Sequence, residues 1–295
     1  MTTSVLKIKG LTKQLKKSVI GPIDFQMEKG TAVALIGANG SGKSTFLRLL
    51  MNILKPDKGD IQVFGQKFAE NETTIKQQIG YMGDLFEPFG YLSIKELSSL
   101  VSYWYPSWSH SRYADFLRRY NIDETMKYSK CSKGTKKKVE FIFSLCHNPQ
   151  LLLLDEPSAG VDIISQRKMK EDLKNYMEDG ENSILLVTHI MDEVKQICDY
   201  ITIIEEGMLV HYINKDEIYE NWARVWVSTV TDSLRINPNV ISIDAESLQI
   251  LTNNLRAIEK AIKTEGIAIT HIQRPTLEET IENLVELKEG GFYEN

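Results

Sequence analysis

Nine consecutive residues, Gly37-Ala38-Asn39-Gly40-Ser41-Gly42-Lys43-Ser44-Thr45, fit the phosphate-loop pattern G-x-x-x-x-G-K-S/T. Glycines at 37, 40 and 42 let successive backbone N–H groups turn inward as a concave anion nest. The helix expected to start at the loop points its positive dipole end at the same spot. Lys43 is then placed to reach the β- and γ-phosphates, and the Ser44 hydroxyl to ligate Mg²⁺. Asn39, Ser41 and Thr45 belong to the same binding segment. The implied ligand is a nucleoside triphosphate with its metal.

A phosphate loop also serves kinases and GTPases, so other residues must narrow the chemistry. Asp155 and Glu156 directly follow the run Leu151-Leu152-Leu153-Leu154. A charged pair ending a strand is common by itself. Downstream of a phosphate loop, an aspartate there holds Mg²⁺ and the next glutamate polarises the attacking water as general base. His189 follows the apolar run 184–187, which puts an imidazole at a strand end facing the γ-phosphate. Lys43, Glu156 and His189 form the candidate catalytic set. Cys131-Ser132-Lys133-Gly134-Thr135 opens a helix to about residue 147, with Ser132 suited to its N-cap and free N–H groups behind it.

These groups need strands that end together. Residues 31–36 precede the phosphate loop as a strand and 46–51 follow it as a helix. Segments 5–8, 23–27, 61–64 and 79–82 also read as strands, and 163–177 as a helix closing at Gly180. The uninterrupted apolar runs 151–154 and 184–187 are those of central parallel strands buried on both faces. Alternating strands and helices imply an open parallel α/β sheet, with its ligand beyond the strands' C-terminal ends. From about 84 to 148 the pattern becomes mainly helical. Aromatics crowd residues 81–120 far above the 9% of the whole chain, which suits a core and a binding groove equally.

With 295 residues, 42% of them hydrophobic and 25% charged, the chain has room for one large domain and one small one. A net charge of −5 argues against nucleic acid as a partner. Cys131, Cys146 and Cys198 are odd in number and lack metal-ligand spacing, which suits a reducing compartment. No apolar run approaches the ~20 residues that span a bilayer. Met1-Thr2-Thr3-Ser4 does not open a signal peptide, so the expected location is cytoplasmic. Beyond about residue 214 the composition shifts. Short strands at 225–227, 240–243 and 267–270, with amphipathic helices at 255–264 and 277–288, suggest a small accessory α+β domain over 215–295 without a catalytic motif. Its helical stripe covers either its own strands or a paired subunit.

The order of phosphate loop, Ser-x-Gly helix start, Leu-Leu-Leu-Leu-Asp-Glu-Pro, Ser-Ala-Gly-Val-Asp (158–162) and Thr-His resembles the nucleotide-binding subunits of ABC transporters over about residues 1–214. That resemblance implies a P-loop NTPase fold with a helical subdomain, binding ATP with Mg²⁺ and hydrolysing it. It further implies a head-to-tail dimer, with an identical chain or a sister ATPase subunit. Each site would pair Lys43, Ser44, Asp155, Glu156 and His189 of one chain with Ser132 and Gly134 of the other, and the Asp162 segment would link the two sites. The matching helical subdomain would receive a helix of a separate transmembrane permease, holding the chain on the inner face of the membrane. Within the family the chain is similar to the ATPase subunits of bacterial exporters, including phenol-soluble-modulin peptide exporters and those of antibiotic-responsive operons. The rival reading is a soluble regulatory or assembly ATPase of the same family without a permease.

The chain departs from the family pattern in places. Its signature reads Cys-Ser-Lys-Gly-Thr instead of Leu-Ser-Gly-Gly-Gln, and Lys136, Lys137 and Lys138 follow as an expected solvated helix face. Asp84 stands where a glutamine is usual, and its carboxylate retains the capacity to ligate Mg²⁺. Leu15 stands where an aromatic usually stacks on adenine, leaving the base an apolar contact.

Overall fold

Buried and exposed residues alternate along Val19–Glu28 (β2), which pairs antiparallel with Ser4–Gln14 (β1), as expected of strands with one face on a core. The computed structural model describes residues 4–83 and 85–290. Its chain divides into two compact units, Met1–Tyr212 and Ile213–Asn295.

In the first unit, Ala32–Ile36 (β3) is buried at every position and leads through the glycine loop into Lys43–Leu50 (α1). Lys58–Val63 (β4) and Gln66–Lys67 (β5) extend the antiparallel sheet in the order β2-β1-β4-β5. Phe68–Gln77 (α2) then leads to Ile79–Met82 (β6). Three helices follow: Ile94–Ser102 (α3), His110–Tyr120 (α4) and Lys133–Leu145 (α5). A capping box starts α3: Glu96 N–H donates to Ser93 Oγ at 3.2 Å, and Ser93 N–H donates to Glu96 Oε2 at 2.7 Å. The chain returns to the sheet with Leu151–Asp155 (β7), Ile163–Met177 (α6), Ser183–Val187 (β8), Met191–Ile197 (α7) and Tyr200–Glu205 (β9). Met208–Asn214 (β10) closes a hairpin with β9 through Glu206 and Gly207. The second sheet has the order β10-β9-β3-β8-β7-β6, and β9, β3, β8, β7 and β6 run parallel. One apolar core joins the inner faces of both sheets around α1, with Leu6, Ile8, Met27, Phe46, Leu153 and Val187 essentially inaccessible.

The aromatic segment divides between core and surface. Phe86, Trp108 and Tyr113 gather around Phe143 of α5 at ring separations of 5.5, 5.8 and 6.1 Å, while Tyr120 packs on Phe141. Tyr91, Tyr103 and Trp104 instead remain more than half exposed. All three cysteines are buried free thiols. Among the described residues no helix is long and apolar enough to cross a membrane.

The second unit contains Lys215–Asn221 (α8), Ala223–Val227 (β11), Asp232–Arg235 (α9), Val240–Asp244 (β12), Gln249–Thr252 (β13), Leu255–Thr264 (α10), Ile269–Gln273 (β14) and Leu277–Gly290 (α11). From β11 to β14 the order is β-α-β-β-α-β, and the sheet order β12-β13-β11-β14 is antiparallel throughout, the ferredoxin-like arrangement. Strand β13 is an addition to the three strands read from the sequence, because four residues behind the turn at Leu248 are too short to show a period. The stripe of α10 is covered by the unit's own strands: Ile258 and Ile262 lie in one core with Val225, Val227 and Ile250.

Because this core is separate from that of the first unit, Ile258→Ala should destabilise the C-terminal unit by about 2–5 kcal/mol in denaturant titration. ATP binding should persist. A folded Ile258→Ala chain that no longer binds nucleotide would show that the C-terminal unit completes the site.

Candidate nucleotide site

The carboxyl ends of β3, β8 and β7 lie side by side, and each carries a candidate group. Leu35 of β3 pairs with Val187 of β8, and Val187 pairs in turn with Asp155 of β7. The glycine loop follows β3, Glu156 follows β7, and His189 lies just past β8.

At the loop, two glycines are demanded, Gly37 by backbone contact and Gly42 by its conformation. A Cβ on Gly37 would meet the Ile204 carbonyl oxygen at 2.2 Å. Gly42, the N-cap of α1, has φ of 110°, and its Cβ would meet the Ile20 side chain at 2.4 Å. The loop is braced from below, where Gly207 N–H donates to the Ser41 carbonyl at 3.0 Å. Ser41 Oγ is buried and finds no hydrogen-bond partner among the described residues. Lys43 folds back over the loop and donates to the carbonyls of Gly37 at 2.7 Å and Ala38 at 2.9 Å. Desolvation lowers its pKa, opposed by the nearby charges of Glu156 and Asp155.

A cavity of about 330 Å³ opens here, lined by Asn39, Gly40, Gly42, Lys43, Ser44 and Thr45 of the loop and by Asp155 and Glu156 at the end of β7, the next strand but one. An anion nest, the lysines Lys43, Lys133 and Lys137 and two carboxylates therefore share one space. Ser44 and Asp155 supply hard oxygen donors of the kind Mg²⁺ takes when substrate phosphates and water complete its shell. Glu156 has φ of 48°, a left-handed backbone uncommon for a residue with a long side chain. Its Oε1 lies 3.2 Å from His189 Nδ1, so the two meet although His189 itself is largely exposed.

Ser132, Gly134, Asp162 and Leu15 do not line this cavity. Ser132 caps α5, its Oγ accepting from Thr135 N–H at 3.1 Å. Gly134 sits so close to the turn before α6 that a Cβ would stand 2.7 Å from the Gly160 carbonyl oxygen. Asp162 caps α6 through Ser165 N–H at 2.9 Å and pairs with Lys138 at 3.3 Å. These bonds, the Ser165 bond foremost, hold its carboxyl down at about 2. Leu15 is half-buried against the main core and does not line the cavity. Asp84 lies outside the described residues.

The lysine run is not a solvated face. Successive helical residues are about 100° apart, so three in a row cannot share one side. Lys136 pairs with Glu87 at 2.7 Å, and Lys138 with Asp162. Lys137 is buried, lines the cavity with Lys133, and donates to the Asp155 carbonyl at 3.2 Å.

A glycine loop between a parallel strand and a helix, with carboxylates at another strand end of the same sheet, defines a P-loop nucleoside triphosphatase. Residues 20–159 match the ABC transporter family. An uncharacterised ABC transporter ATP-binding protein of Methanocaldococcus jannaschii is 31% identical over 227 residues, which cover 75% of this chain and 81% of that protein. The bacitracin transport ATP-binding protein BcrA of Bacillus licheniformis is 28% identical over 228 residues, 73% of this chain and 72% of its own. A solved ATP-binding subunit of an ABC transporter superposes with a TM-score of 0.65 at 26% identity, covering 72% of this chain and 91% of that one. The chain belongs to the ABC transporter ATP-binding proteins, and its enzymatic class is that of an ATPase.

Lys43→Ala should weaken ATP binding on the order of 10–10²-fold in calorimetric titration, since a charge-assisted bond contributes about 1.5–3 kcal/mol. Parent-like affinity in that variant would remove Lys43 from the phosphate site.

Proposed function

We propose that this chain is the ATP-hydrolysing subunit of a membrane exporter, acting as a head-to-tail cassette dimer on a separate transmembrane permease. The observation that carries the chemistry is the meeting of Lys43, Ser44, Asp155 and Glu156 in one cavity, with His189 at hydrogen-bonding distance from Glu156. In this reading Lys43 exchanges its two loop carbonyls for β- and γ-phosphate oxygens. Ser44 and Asp155 would hold Mg²⁺, which when bound would neutralise charge on the phosphates. Glu156 accepts a proton from a water that attacks the γ-phosphorus. The bond from that phosphorus to the β,γ-bridging oxygen breaks, leaving ADP and inorganic phosphate. His189 orients the same region from the next strand. Ser132 and Gly134 face the γ-phosphate of the paired chain, which accounts for their position outside their own chain's cavity.

The permease contact is assigned to the helical subdomain. Tyr91, Tyr103 and Trp104 are exposed there, as are Leu85, Leu100 and Met126, in the segment whose inner aromatics are already packed. Such a contact places the chain on the inner face of the membrane. A peptide or antimicrobial is the proposed cargo, supported by the relation to a bacitracin transport protein and by the resemblance to phenol-soluble-modulin exporters.

Glu156→Gln should retain ATP binding, lower turnover on the order of 10²–10⁴-fold and accumulate an ATP-bound dimer in size-exclusion chromatography. Near-parent turnover would reject Glu156 as base. The full-length chain should co-purify with a polytopic membrane protein from detergent-solubilised membranes, and recovery from the soluble fraction alone would favour a permease-free ATPase.

A further inference from the structure

One buried carboxylate has no part in the chemistry just described. Glu193 lies in the first turn of α7 and is 3% exposed. One of its oxygens accepts from Ser158 Oγ, and the other accepts from Thr188 Oγ1. Both hydroxyl residues are also buried, at 1% and 2% exposure. Ser158 stands two residues past Glu156, and Thr188 immediately precedes His189. The two arms are fixed in turn: Val161 N–H donates to the Ser158 carbonyl at 3.1 Å, and Ile190 N–H to Thr188 Oγ1 at 3.0 Å.

We propose that Glu193 is a positioning residue for hydrolysis, a buried carboxylate clamp that locks the loop carrying Glu156 to the loop carrying His189. The inference rests on the reading of Glu156 as base and goes beyond it. An apolar side chain of similar volume would fill the space without desolvating a charge. What the carboxylate adds is direction: two acceptors on one rigid group bind two hydroxyls from different strand ends at a fixed separation. That separation governs the 3.2 Å approach of Glu156 to His189. Burial pushes the Glu193 pKa up, while the bonds from Ser158 and Thr188 pull it back, so both hydroxyls support the ionised form. Loss of either arm frees one loop relative to the other, and a small misplacement of a catalytic group costs rate on the order of 10²-fold.

Steady-state ATPase kinetics of the full-length chain test this. Glu193→Ala should lower kcat about 10–10²-fold and leave the KM for ATP within about threefold, since the phosphate loop is untouched. Glu193→Gln keeps the shape and one acceptor, and should restore most of the lost kcat. Ser158→Ala and Thr188→Val each remove one arm with little change in volume. If the two arms act through one clamp, their double variant should be scarcely slower than the worse single one. A folded Glu193→Ala chain with parent kcat, a parallel change in kcat and KM, or fully multiplicative arm variants would each overturn the clamp. Should Glu193→Ala not fold, the arm variants decide: parent kcat in both overturns it. Glu156→Gln measured alongside separates the two readings, because near-parent turnover there rejects the base itself whatever the arm variants do.

Discussion

Everything in the nucleotide site depends on the register of three parallel strands. Val187 is the common reference, paired with Leu35 on one side and Asp155 on the other. From that level the phosphate loop starts after β3, Glu156 follows Asp155 directly, and His189 lies two residues past Val187. Side chains alternate along a strand, so a slip of one residue would turn Asp155 away from the cavity and separate Glu156 from His189. Burial on both faces prevents the slip. β3 and β8 are buried at every position, and β7 at every position before Asp155, so any other register would expose apolar side chains or bury the carboxylate.

The same physics explains what could be read in advance. The glycine loop is a local device, and its spacing encodes a local shape. The leucine run before Asp155 and the apolar run before His189 are local too, and both reveal their strands. Glu193 was not legible, because its partners lie 35 and 5 residues away in sequence, and only the sheet brings Ser158 and Thr188 together. The lysine run misled for a related reason. Composition suggested solvent, yet Lys137 and Lys138 face a carbonyl and a carboxylate supplied by β7 and by the start of α6. In the C-terminal unit, β13 escaped notice because four residues show little periodicity, and the order β12-β13-β11-β14 is a property of pairing across long loops.

The helical subdomain shows how one composition signal can report two things. Its inner aromatics surround Phe141 and Phe143 in edge-on and tilted contacts that fill a core between α4 and α5. A second set near the end of α3 packs little, and Tyr103 and Trp104 meet edge-on at 5.3 Å while remaining largely in water. Aromatic density alone cannot separate these sets. Helical phase and the boundary of α3 do.

Glu156 sits in a left-handed backbone conformation, with φ of 48°. For a residue with a β-carbon this costs roughly 1–2 kcal/mol, and glycine at the same place would relieve it. A chain shaped for endurance alone would carry glycine at this turn. The turn instead carries a carboxylate on an unfavourable backbone, which is held by Glu156 N–H donating to the Val187 carbonyl at 2.9 Å and sets the side chain beside His189. Efforts to make this protein more robust by placing glycine at Glu156 would therefore trade activity for stability at that position.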